Sequence, residues 1–235
     1  MTQIVLHITA ADFKDGGYIG TEKFATEFQG SVVIDRDLGY QTIARIWCSG
    51  SLSIKAGTSI EAGTYIKAGG SIKAGGYIEA GGYIEAGGYI EAGTSIEAGG
   101  YIEAGTSIEA GTSIEAGTSI EAGGYIEAGG YIEAGEYIEA GTSIEAGKGL
   151  TTGRWISCKL SLKVGWRIIA GVAPWLDGED TNESTVTCGK LESGEVVGTL
   201  VETGLPEDEA SSEQSSCHLD EPGPFCRKCG AKVGA

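Results

Sequence analysis

The residue types best suited to binding a metal lie close together near the C-terminus. Cys217 and His218 are followed by Cys226 and Cys229, and the last two belong to a Cys-x2-Cys-Gly unit. Thiolate and imidazole groups at such spacing are common ligands of a tetrahedral zinc ion. We therefore predict a structural zinc site in this C-terminal segment, with Cys188 as another candidate ligand. Free thiols that bind no metal are the alternative.

Groups that could carry out catalysis are scarce in the rest of the chain. It has two histidines, His7 and His218, and neither lies in the glycine-rich middle of the sequence. Paired carboxylates can serve as general acid and base, but the many glutamates here share one repeated context and none is singled out. Neither common glycine-rich phosphate-binding pattern is found. We predict that the protein is not an enzyme.

The composition excludes further classes. The 235 residues include 33 acidic and 16 basic ones, a net charge of −17, which disfavours direct contact with nucleic-acid phosphates. No apolar run is long enough to span a membrane, and the N-terminal residues lack the pattern of a signal peptide. The six cysteines are therefore expected to be reduced thiols or metal ligands. We expect a soluble, cytoplasmic protein that contacts neither nucleic acid nor membrane.

A six-residue repeat accounts for the abundance of glycine. Isoleucine recurs every six residues from Ile54 to Ile144, and each is followed by Glu or Lys, then Ala, then Gly. The next two positions are usually Thr or Gly and then Ser or Tyr. A period of six would carry isoleucine around every face of an α-helix, whereas it suits short strands separated by turns. We expect glycine at each turn to supply a positive φ, and three hexads per coil to place residue n above residue n+18.

The hexad Ile-Glu-Ala-Gly-Thr-Ser resembles the hexapeptide repeat of left-handed parallel β-helix proteins. The resemblance implies a triangular prism in which each hexad forms one side. It also implies an inward aliphatic residue, as at Ile60, a turn at Gly63, and a small inward residue at the fifth position, as at Thr64. The catalytic histidine and inserted loop of the acyltransferases with this fold are missing from the repeat. The near-identical hexads are instead similar to phage and prophage β-solenoid proteins, and a right-handed solenoid is the structural alternative.

We therefore predict an all-β fold, a left-handed parallel β-helix of about seven coils with small caps at both ends. Upstream of the repeat, Cys48 and Gly50 are expected to fill the Ile and Ala slots of an earlier hexad. Downstream, the spacing of six continues at Leu150, Ile156, Leu162 and Ile168. The predicted segments are an N-terminal cap (1–47), the solenoid (48–173), a β-rich C-terminal element (174–205), an acidic linker (206–216) and a Cys/His tail that resembles a zinc knuckle (217–235).

The position after each isoleucine holds the most suggestive pattern for function. It is Glu in thirteen hexads and Lys in three, and stacking by eighteen arranges these residues in rows. Like charges about 5 Å apart repel by roughly 0.8 kcal/mol even in water. Three glutamates per coil of about 4.8 Å give one negative charge per roughly 1.6 Å, close to the ~1.7 Å of duplex DNA. The candidate partner-binding residues are Glu61, Glu79, Glu85, Glu91, Glu97, Glu103, Glu109, Glu115, Glu121, Glu127, Glu133, Glu139 and Glu145.

These acidic rows have two interpretations. They predict a nucleic-acid mimic that blocks a host nucleic-acid-binding or defence protein, in the host cytoplasm if a phage encodes it. The alternative is a solvated face that only keeps the protein soluble.

The position before each isoleucine is Ser or Tyr. One row combines four tyrosines with an interruption at Ser119. Tyrosine is enriched at interfaces because it offers a large contact area at a low entropy cost. We predict an oligomer or partner face here, so the alternative function is a structural module that assembles through this row. Stacking of the rings along an exposed ladder is the competing interpretation. The row consists of Tyr65, Tyr83, Tyr101 and Tyr137.

Residues 148–173 carry five basic side chains and no acidic one. We expect this basic segment to neutralise the acidic end of the solenoid, within the chain or against another subunit. Binding of nucleic acid with the help of Trp155 and Trp166 is the alternative. The five residues are Lys148, Arg154, Lys159, Lys163 and Arg167.

Overall fold

The chain winds into a stack of parallel β-strands, which confirms the predicted all-β solenoid. The computed structural model describes residues 4–14, 17–19, 21–24, 26–34, 40–54, 59–171 and 184–205. Two short 3-10 helices, Ala10–Asp12 and Thr21–Phe24, are the helices in these ranges. Neither is long and apolar enough to cross a lipid bilayer.

The strands are short, and most of them cover three residues of a hexad. Before the regular repeat they are β1 (Val5–Ile8), β2 (Phe13–Lys14), β3 (Gly17–Tyr18), β4 (Ser31–Ile34), β5 (Tyr40–Ile43), β6 (Ile46–Cys48) and β7 (Leu52–Ile54). The repeat supplies β8 (Ser59–Ala62), β9 (Ile66–Ala68), β10 (Ile72–Ala74), β11 (Ile78–Ala80), β12 (Ile84–Ala86), β13 (Ile90–Ala92), β14 (Ile96–Ala98), β15 (Ile102–Ala104), β16 (Ile108–Ala110), β17 (Ile114–Ala116), β18 (Ser119–Ala122), β19 (Ile126–Ala128), β20 (Ile132–Ala134), β21 (Tyr137–Ala140) and β22 (Ile144–Ala146). After it come β23 (Leu150–Thr152), β24 (Ile156–Cys158), β25 (Ser161–Ala170), β26 (Thr185–Cys188), β27 (Lys190–Val197) and β28 (Thr199–Glu202).

Three faces run along the stack, each built from every third repeat strand. Face 1 contains β8, β11, β14, β17 and β20; face 2 contains β9, β12, β15, β18 and β21; face 3 contains β10, β13, β16, β19 and β22. Face 2 belongs to a nine-stranded sheet from β6 to β28. Faces 1 and 3 belong to one larger sheet, because β25 pairs with both β22 and β23. The stack has about eight turns, slightly more than the predicted number.

Within the repeat, residue n lies beside residue n+18, as the spacing predicts. Ile84 pairs with Ile102, and the neighbouring repeat strands keep the same register. The amide of Ile84 donates to the carbonyl of Tyr101 in the next coil at 3.0 Å. The amide of Gly87 donates to the carbonyl of Ala68 in the preceding coil at 3.0 Å. Each coil is thus bonded in both directions, which holds the columns of side chains in line.

The register differs at the start of the repeat, where β4 pairs with β7, β6 with β9 and β7 with β10 at an offset of twenty residues, and β5 pairs with β8 at nineteen. Leu52, not Ile54, lies beside Ile72, so Ile54 fills the slot that alanine occupies in the repeat. Six residues separate Ile54 from Ile60, whereas four separate an Ala slot from the next Ile slot elsewhere. The two extra residues fall in the segment 55–58, outside the described residues. The isoleucines stay six residues apart in the sequence, but the strand register shifts by two residues between Ile54 and Ile60.

The same offset corrects the expected slots of the upstream residues. Ile46 lies beside Ile66, and Cys48 lies beside Ala68. Cys48 therefore fills an Ala slot rather than an Ile slot. Gly50 lies outside any strand and fills neither slot.

Parallel stacking continues on both sides of the predicted solenoid boundaries. At the N-terminal end β1 pairs with β4, β4 with β7, and β5 with β8. At the C-terminal end β26 pairs with β24 and with β28, and β27 pairs with β25. Strands from residues 1–47 and 174–205 therefore share sheets with the repeat. Residues 206–235, which include the predicted linker and tail, lie outside the described residues.

Isoleucine and alanine form the core of the repeat. The isoleucines from Ile60 to Ile144 are at most 1% exposed, and the alanines two positions later are at most 7% exposed. Burying one such isoleucine stabilises the fold by about 1.5–3 kcal/mol. The prediction that threonine at the fifth position points inward is wrong, because Thr64 and Thr106 are exposed. The alternation of side chains along each strand points residues one and three inward, and the chain turns outward before the fifth.

The repeat glycines serve close packing rather than an unusual backbone conformation. Among the described residues, the glycines with positive φ lie outside the repeat, so the predicted positive φ at each turn is wrong. A Cβ built on Gly105 would lie 2.2 Å from the carbonyl oxygen of Gly87, one coil below. Adjacent coils therefore approach so closely at this corner that no side chain fits between them.

Candidate binding surface of the acidic and aromatic rows

Stacking arranges the thirteen predicted glutamates in three straight rows on the outside of the solenoid. Each glutamate lies between a buried isoleucine and a buried alanine, so its side chain faces solvent. Acidic row 1, on face 1, consists of Glu61, Glu79, Glu97, Glu115 and Glu133. Acidic row 2, on face 2, consists of Glu85, Glu103, Glu121 and Glu139. Acidic row 3, on face 3, consists of Glu91, Glu109, Glu127 and Glu145.

Acidic row 3 carries a lysine at each end. Lys73 Nζ lies 2.6 Å from the Glu91 carboxylate, and Lys163 forms an ion pair with Glu145. Beneath Lys73 lies Ser53, rather than the lysine that an eighteen-residue offset would place there. Lys163 belongs to the basic segment, which therefore neutralises one end of this row within the chain.

Acidic row 1 has no lysine at either end. It begins beside Thr42 and ends beside Thr151, whereas Lys67 precedes acidic row 2 and lies 2.7 Å from Glu85. Among the described residues, no basic side chain forms an ion pair with a carboxylate of row 1. Within the part of the chain that the structure describes, the five carboxylates of row 1 are therefore the largest group of repeat glutamates without a basic partner.

Burial and crowding within row 1 alter the acidity of Glu79. Partial burial raises the pKa of Glu79, and the charges of Glu61 and Glu97 on either side raise this pKa further. One carboxylate oxygen of Glu61, Oε2, is buried without a hydrogen-bond partner. The Glu79 carboxylate therefore opposes folding at neutral pH, and the unpartnered Glu61 oxygen adds a cost of desolvation. These two positions of the row are a cost to the fold rather than a source of stability.

The predicted tyrosine row forms two separate stacks of rings on face 2, which we call the aromatic ladder. Tyr65, Tyr83 and Tyr101 are nearly parallel, with ring centroids 5.0 and 4.9 Å apart and interplanar angles of 3° and 2°. Tyr137 stacks on Trp155 at 4.5 Å and 8°. The predicted set omitted Trp155, although it lies eighteen residues after Tyr137 and the spacing alone could have identified it.

Several tyrosine hydroxyls donate to glutamates of the preceding coil. Tyr131 donates to Glu115 at 2.8 Å, and further pairs have the same spacing of sixteen residues. Burial, followed by the nearby Glu85 charge, raises the pKa of Tyr101 to about 12. The ring contacts above show the predicted stacking along the ladder, and contact with a partner stays a prediction. The further pairs are Tyr125 with Glu109 and Tyr137 with Glu121.

The basic segment places its charges at the C-terminal end of the acidic rows. Arg167 lies 3.1 Å from Glu195 of the strand β27. Lys159 lines a shallow cleft of about 380 Å³ together with three glutamates of acidic row 2. Trp166 is 69% exposed. The contact of Lys163 with Glu145 agrees with the expected neutralisation within the chain, whereas Arg167 pairs with a carboxylate outside the acidic rows.

The described cysteines are buried thiols. Cys48 and Cys158 fill core slots, as expected of small apolar residues, and Cys188 is fully buried as well. Burial raises the pKa of Cys158 to about 12 and the pKa of Cys188 to about 11. No cluster of three or more His, Cys, Asp or Glu side chains suited to a metal occurs in the described ranges. The predicted zinc ligands Cys217, His218, Cys226 and Cys229 lie outside those ranges.

The arrangement as a whole offers electrostatic attraction and stacking to a binding partner. No protein-family model, curated protein or solved structure matches the chain.

Proposed function

We propose that the protein is a non-catalytic binding protein that imitates the charge of a nucleic acid. Its acidic rows would occupy the groove in which a nucleic-acid-binding protein normally holds phosphates. The observation that carries this proposal is acidic row 1, five stacked carboxylates without a basic partner among the described residues. A surface that serves solubility alone is better built from interspersed charges of both signs.

The linear density of charge supports the same proposal. Neighbouring strands lie about 4.8 Å apart, and each of the four coils in residues 78–147 presents one glutamate on each of three faces. One negative charge therefore occurs per roughly 1.6 Å of axis, compared with about 1.7 Å in duplex DNA. A channel lined by lysine and arginine would meet a similar density of charge on either ligand.

The expected partner is thus a host protein that contacts the backbone of duplex nucleic acid without reading its sequence. An inhibitor of a host defence system, encoded by a phage and acting in the host cytoplasm, would have this property. Attraction of this kind weakens with salt, because the Debye length falls from about 10 Å at 0.1 M to about 3 Å at 1 M.

Two variants with equal charge changes test the proposal. The first replaces Glu79, Glu97, Glu115 and Glu133 of row 1 by Gln. The matched control replaces the four glutamates of row 3, whose ends are already paired with lysines. Each protein is titrated against a panel of purified duplex-binding proteins that hold a fluorescent DNA duplex, and release of the duplex is measured across a salt series.

We expect the wild-type protein to release the duplex from at least one member of the panel, less effectively as salt rises. The row 1 variant should lose most of this competition, and the row 3 variant should keep most of it. Absence of competition with every member, or equal competition by both variants, would refute the proposal for row 1.

A second candidate function is assembly through the aromatic ladder. The observation in its favour is the continuous stack of Tyr65, Tyr83 and Tyr101 on the outside of face 2. Replacing Tyr83 and Tyr101 by Ser places in the ladder the residue that fills this slot elsewhere in the repeat. If the ladder builds an oligomer, light scattering should show a lower mass for the variant; an unchanged mass counts against this function.

We also propose that the solenoid winds left-handed, as in the hexapeptide-repeat proteins that its hexads resemble, and that the C-terminal tail holds structural zinc. A crystal structure would determine the hand. Metal analysis before and after removal of residues 217–235 tests the zinc, and the same metal content in both proteins would disprove a site in the tail.

A further inference from the structure

The last described turn of the solenoid, formed by β27 and β28, has an acidic residue where the repeat has alanine. Leu200 lies beside Val186, which lies beside Ile156, so Leu200 fills an Ile slot of face 2. Two residues later, Glu202 lies beside the buried Cys188 and therefore fills an Ala slot. Because side chains two residues apart share one face of a strand, Glu202 is an inward residue of this turn. It is exposed, since no described strand covers it.

The Glu202 carboxylate accepts a hydrogen bond that a further coil would otherwise accept. In the repeat, the amide of an Ile-slot residue donates to the next coil, as the amide of Ile84 does to the carbonyl of Tyr101. Leu191 fills the Ile slot of face 3 in the last described turn. Its amide donates to Glu202 Oε1 at 2.7 Å. Burial, followed by the charge of Glu202, raises the pKa of Cys188 to about 11, which agrees with a carboxylate close to that thiol.

The rest of this end is suited to pairing with another strand. Val197, Leu200 and Val201 are 48%, 38% and 42% exposed. The strand β28 pairs with β26 on one side, and no described strand lies on its other side. An edge strand with free backbone groups and apolar side chains is a template for pairing with a second molecule. Residues 206–216 contain no Val, Ile, Leu, Met, Phe, Tyr or Trp, so they cannot supply the inward residues of a further coil.

We propose that Glu202 is a stop residue, which prevents a second copy of the chain from adding a strand to the C-terminal end of the solenoid. An added strand would bury the carboxylate at the end of the core, and burial of an unpaired charge is strongly unfavourable. The added strand would also compete for the Leu191 amide, which already has an acceptor. Inward-pointing charges protect the edges of β-sheets in this way. The inference goes beyond the proposed imitation of nucleic acid, because it concerns the length of the rod rather than its charge.

Three substitutions separate the charge of Glu202 from its hydrogen bond. Glu202→Ala introduces the residue that fills this slot in the repeat and removes both features. Glu202→Gln removes the charge and keeps an acceptor for the Leu191 amide. The control, Glu192→Ala, removes a carboxylate from an exposed residue of β27 that pairs with no residue of β25. Self-association of the full-length proteins is measured by sedimentation velocity over a range of concentrations, and circular dichroism checks that each variant folds.

We expect Glu202→Ala to self-associate with a dissociation constant at least about tenfold lower than that of the wild-type protein. Glu202→Gln should lie between the two, because an amide costs less to bury than a carboxylate, and Glu192→Ala should match the wild-type protein. Wild-type self-association in both Glu202 variants, or an equal gain in Glu192→Ala, would overturn the proposal. Assembly through the aromatic ladder does not alter this comparison, because the ladder is the same in all four proteins.

Hydrogen exchange of the Leu191 amide, followed by NMR, tests the hydrogen bond in a separate measurement. At a concentration at which the proteins have equal mass, this amide should exchange at least about fivefold faster in Glu202→Ala than in the wild-type protein. In Glu202→Gln the rate should stay near the wild-type value. A wild-type rate in Glu202→Ala would show that the carboxylate does not protect the edge of β27, and the proposal would fail. Neither measurement depends on whether the acidic rows displace DNA.

Discussion

Replacement of single glycines by alanine tests why the repeat contains glycine at all. Gly105 and Gly63 occupy the same position of the hexad, and neither has a positive φ. A Cβ on Gly105 would lie 2.2 Å from the carbonyl oxygen of Gly87. A Cβ on Gly63 would lie 3.6 Å from its nearest neighbour, the carbonyl oxygen of Ala44. The two sites thus share a hexad position and a φ outside the positive range, and they differ in the distance to the coil below.

The structure predicts that the two substitutions change the free energy of unfolding in opposite directions. At Gly105 the coils must separate by about 1 Å, and forcing extra atoms into a packed region costs about 1–3 kcal/mol. At Gly63 the added methyl group makes an ordinary contact. Alanine there reduces the entropy of the unfolded chain, which stabilises the protein by about 0.4–1 kcal/mol. For a chain of this length each kcal/mol corresponds to about 2–4 °C in the melting temperature.

Thermal and urea unfolding of Gly105→Ala, Gly63→Ala and the wild-type protein measure the difference. Circular dichroism in the β-sheet region serves as the signal, and midpoints are compared because repeat proteins need not unfold in two states. We expect a lower midpoint for Gly105→Ala, and a wild-type or higher midpoint for Gly63→Ala. Equal losses at both positions would show that a special backbone conformation, not the approach of the coils, requires glycine.

Three further predictions concern the tyrosines, the core and the thiols. The pKa of Tyr101 is raised to about 12, so the stability gained from burying its neutral phenol is complete below about pH 10 and is lost as the pH rises toward 12. Thermal unfolding between pH 9 and 12, compared with ultraviolet titration of the phenols, should show a falling melting temperature; a constant one would contradict it. Ile102→Ala should cost about 2–5 kcal/mol in chemical unfolding, and Ile102→Val about 0.5–1.5 kcal/mol; similar values for both would argue against a tightly packed core. In a variant with the three tail cysteines replaced by serine, Cys158, whose pKa is raised to about 12, should react with a thiol reagent at pH 8 only after unfolding; rapid reaction of every thiol in the native protein would contradict its burial.

The sequence was sufficient to predict the solenoid because its period is a direct consequence of strand geometry. An outward residue between two inward ones is the pattern of a β-strand, and a unit of six leaves room for one corner. The register at the start of the repeat could not be predicted in the same way. Leu52 and Ile54 are both apolar and two residues apart, so two registers bury a pair of apolar side chains equally well.

The packing of the first turns selects between these registers. Ile34, Ile43 and Ile54 occupy slots that hold alanine in the repeat, and all three are buried. Larger inward side chains need a wider turn, and the offsets of nineteen and twenty residues in this region supply it. The size of the side chains packed in neighbouring turns therefore selects the register, and hexad spacing carries no information about that.

The candidate surface was predicted in part for a related reason. Periodicity specifies which residues share a row, and all thirteen glutamates lie in the rows expected for them. Periodicity does not specify which glutamates form ion pairs, because ion pairing depends on where a row ends and on the direction of the lysine side chains. Lys73 and Lys163 pair with row 3, and no such pair occurs in row 1 among the residues that the structure describes; only the three-dimensional contacts show this difference.

Specific recognition by such a protein has to come from departures from the repeat. A perfect hexad array presents the same surface at every coil, so a ligand could bind in many equivalent registers and none would be selected. Lysines at the ends of two rows distinguish the faces from one another. Ser119 distinguishes one coil from its neighbours, because it separates the stack that ends at Tyr101 from the stack that begins at Tyr137. A long acidic rod would attract a basic protein from a distance, and contacts at such departures from the repeat would fix its position along the rod.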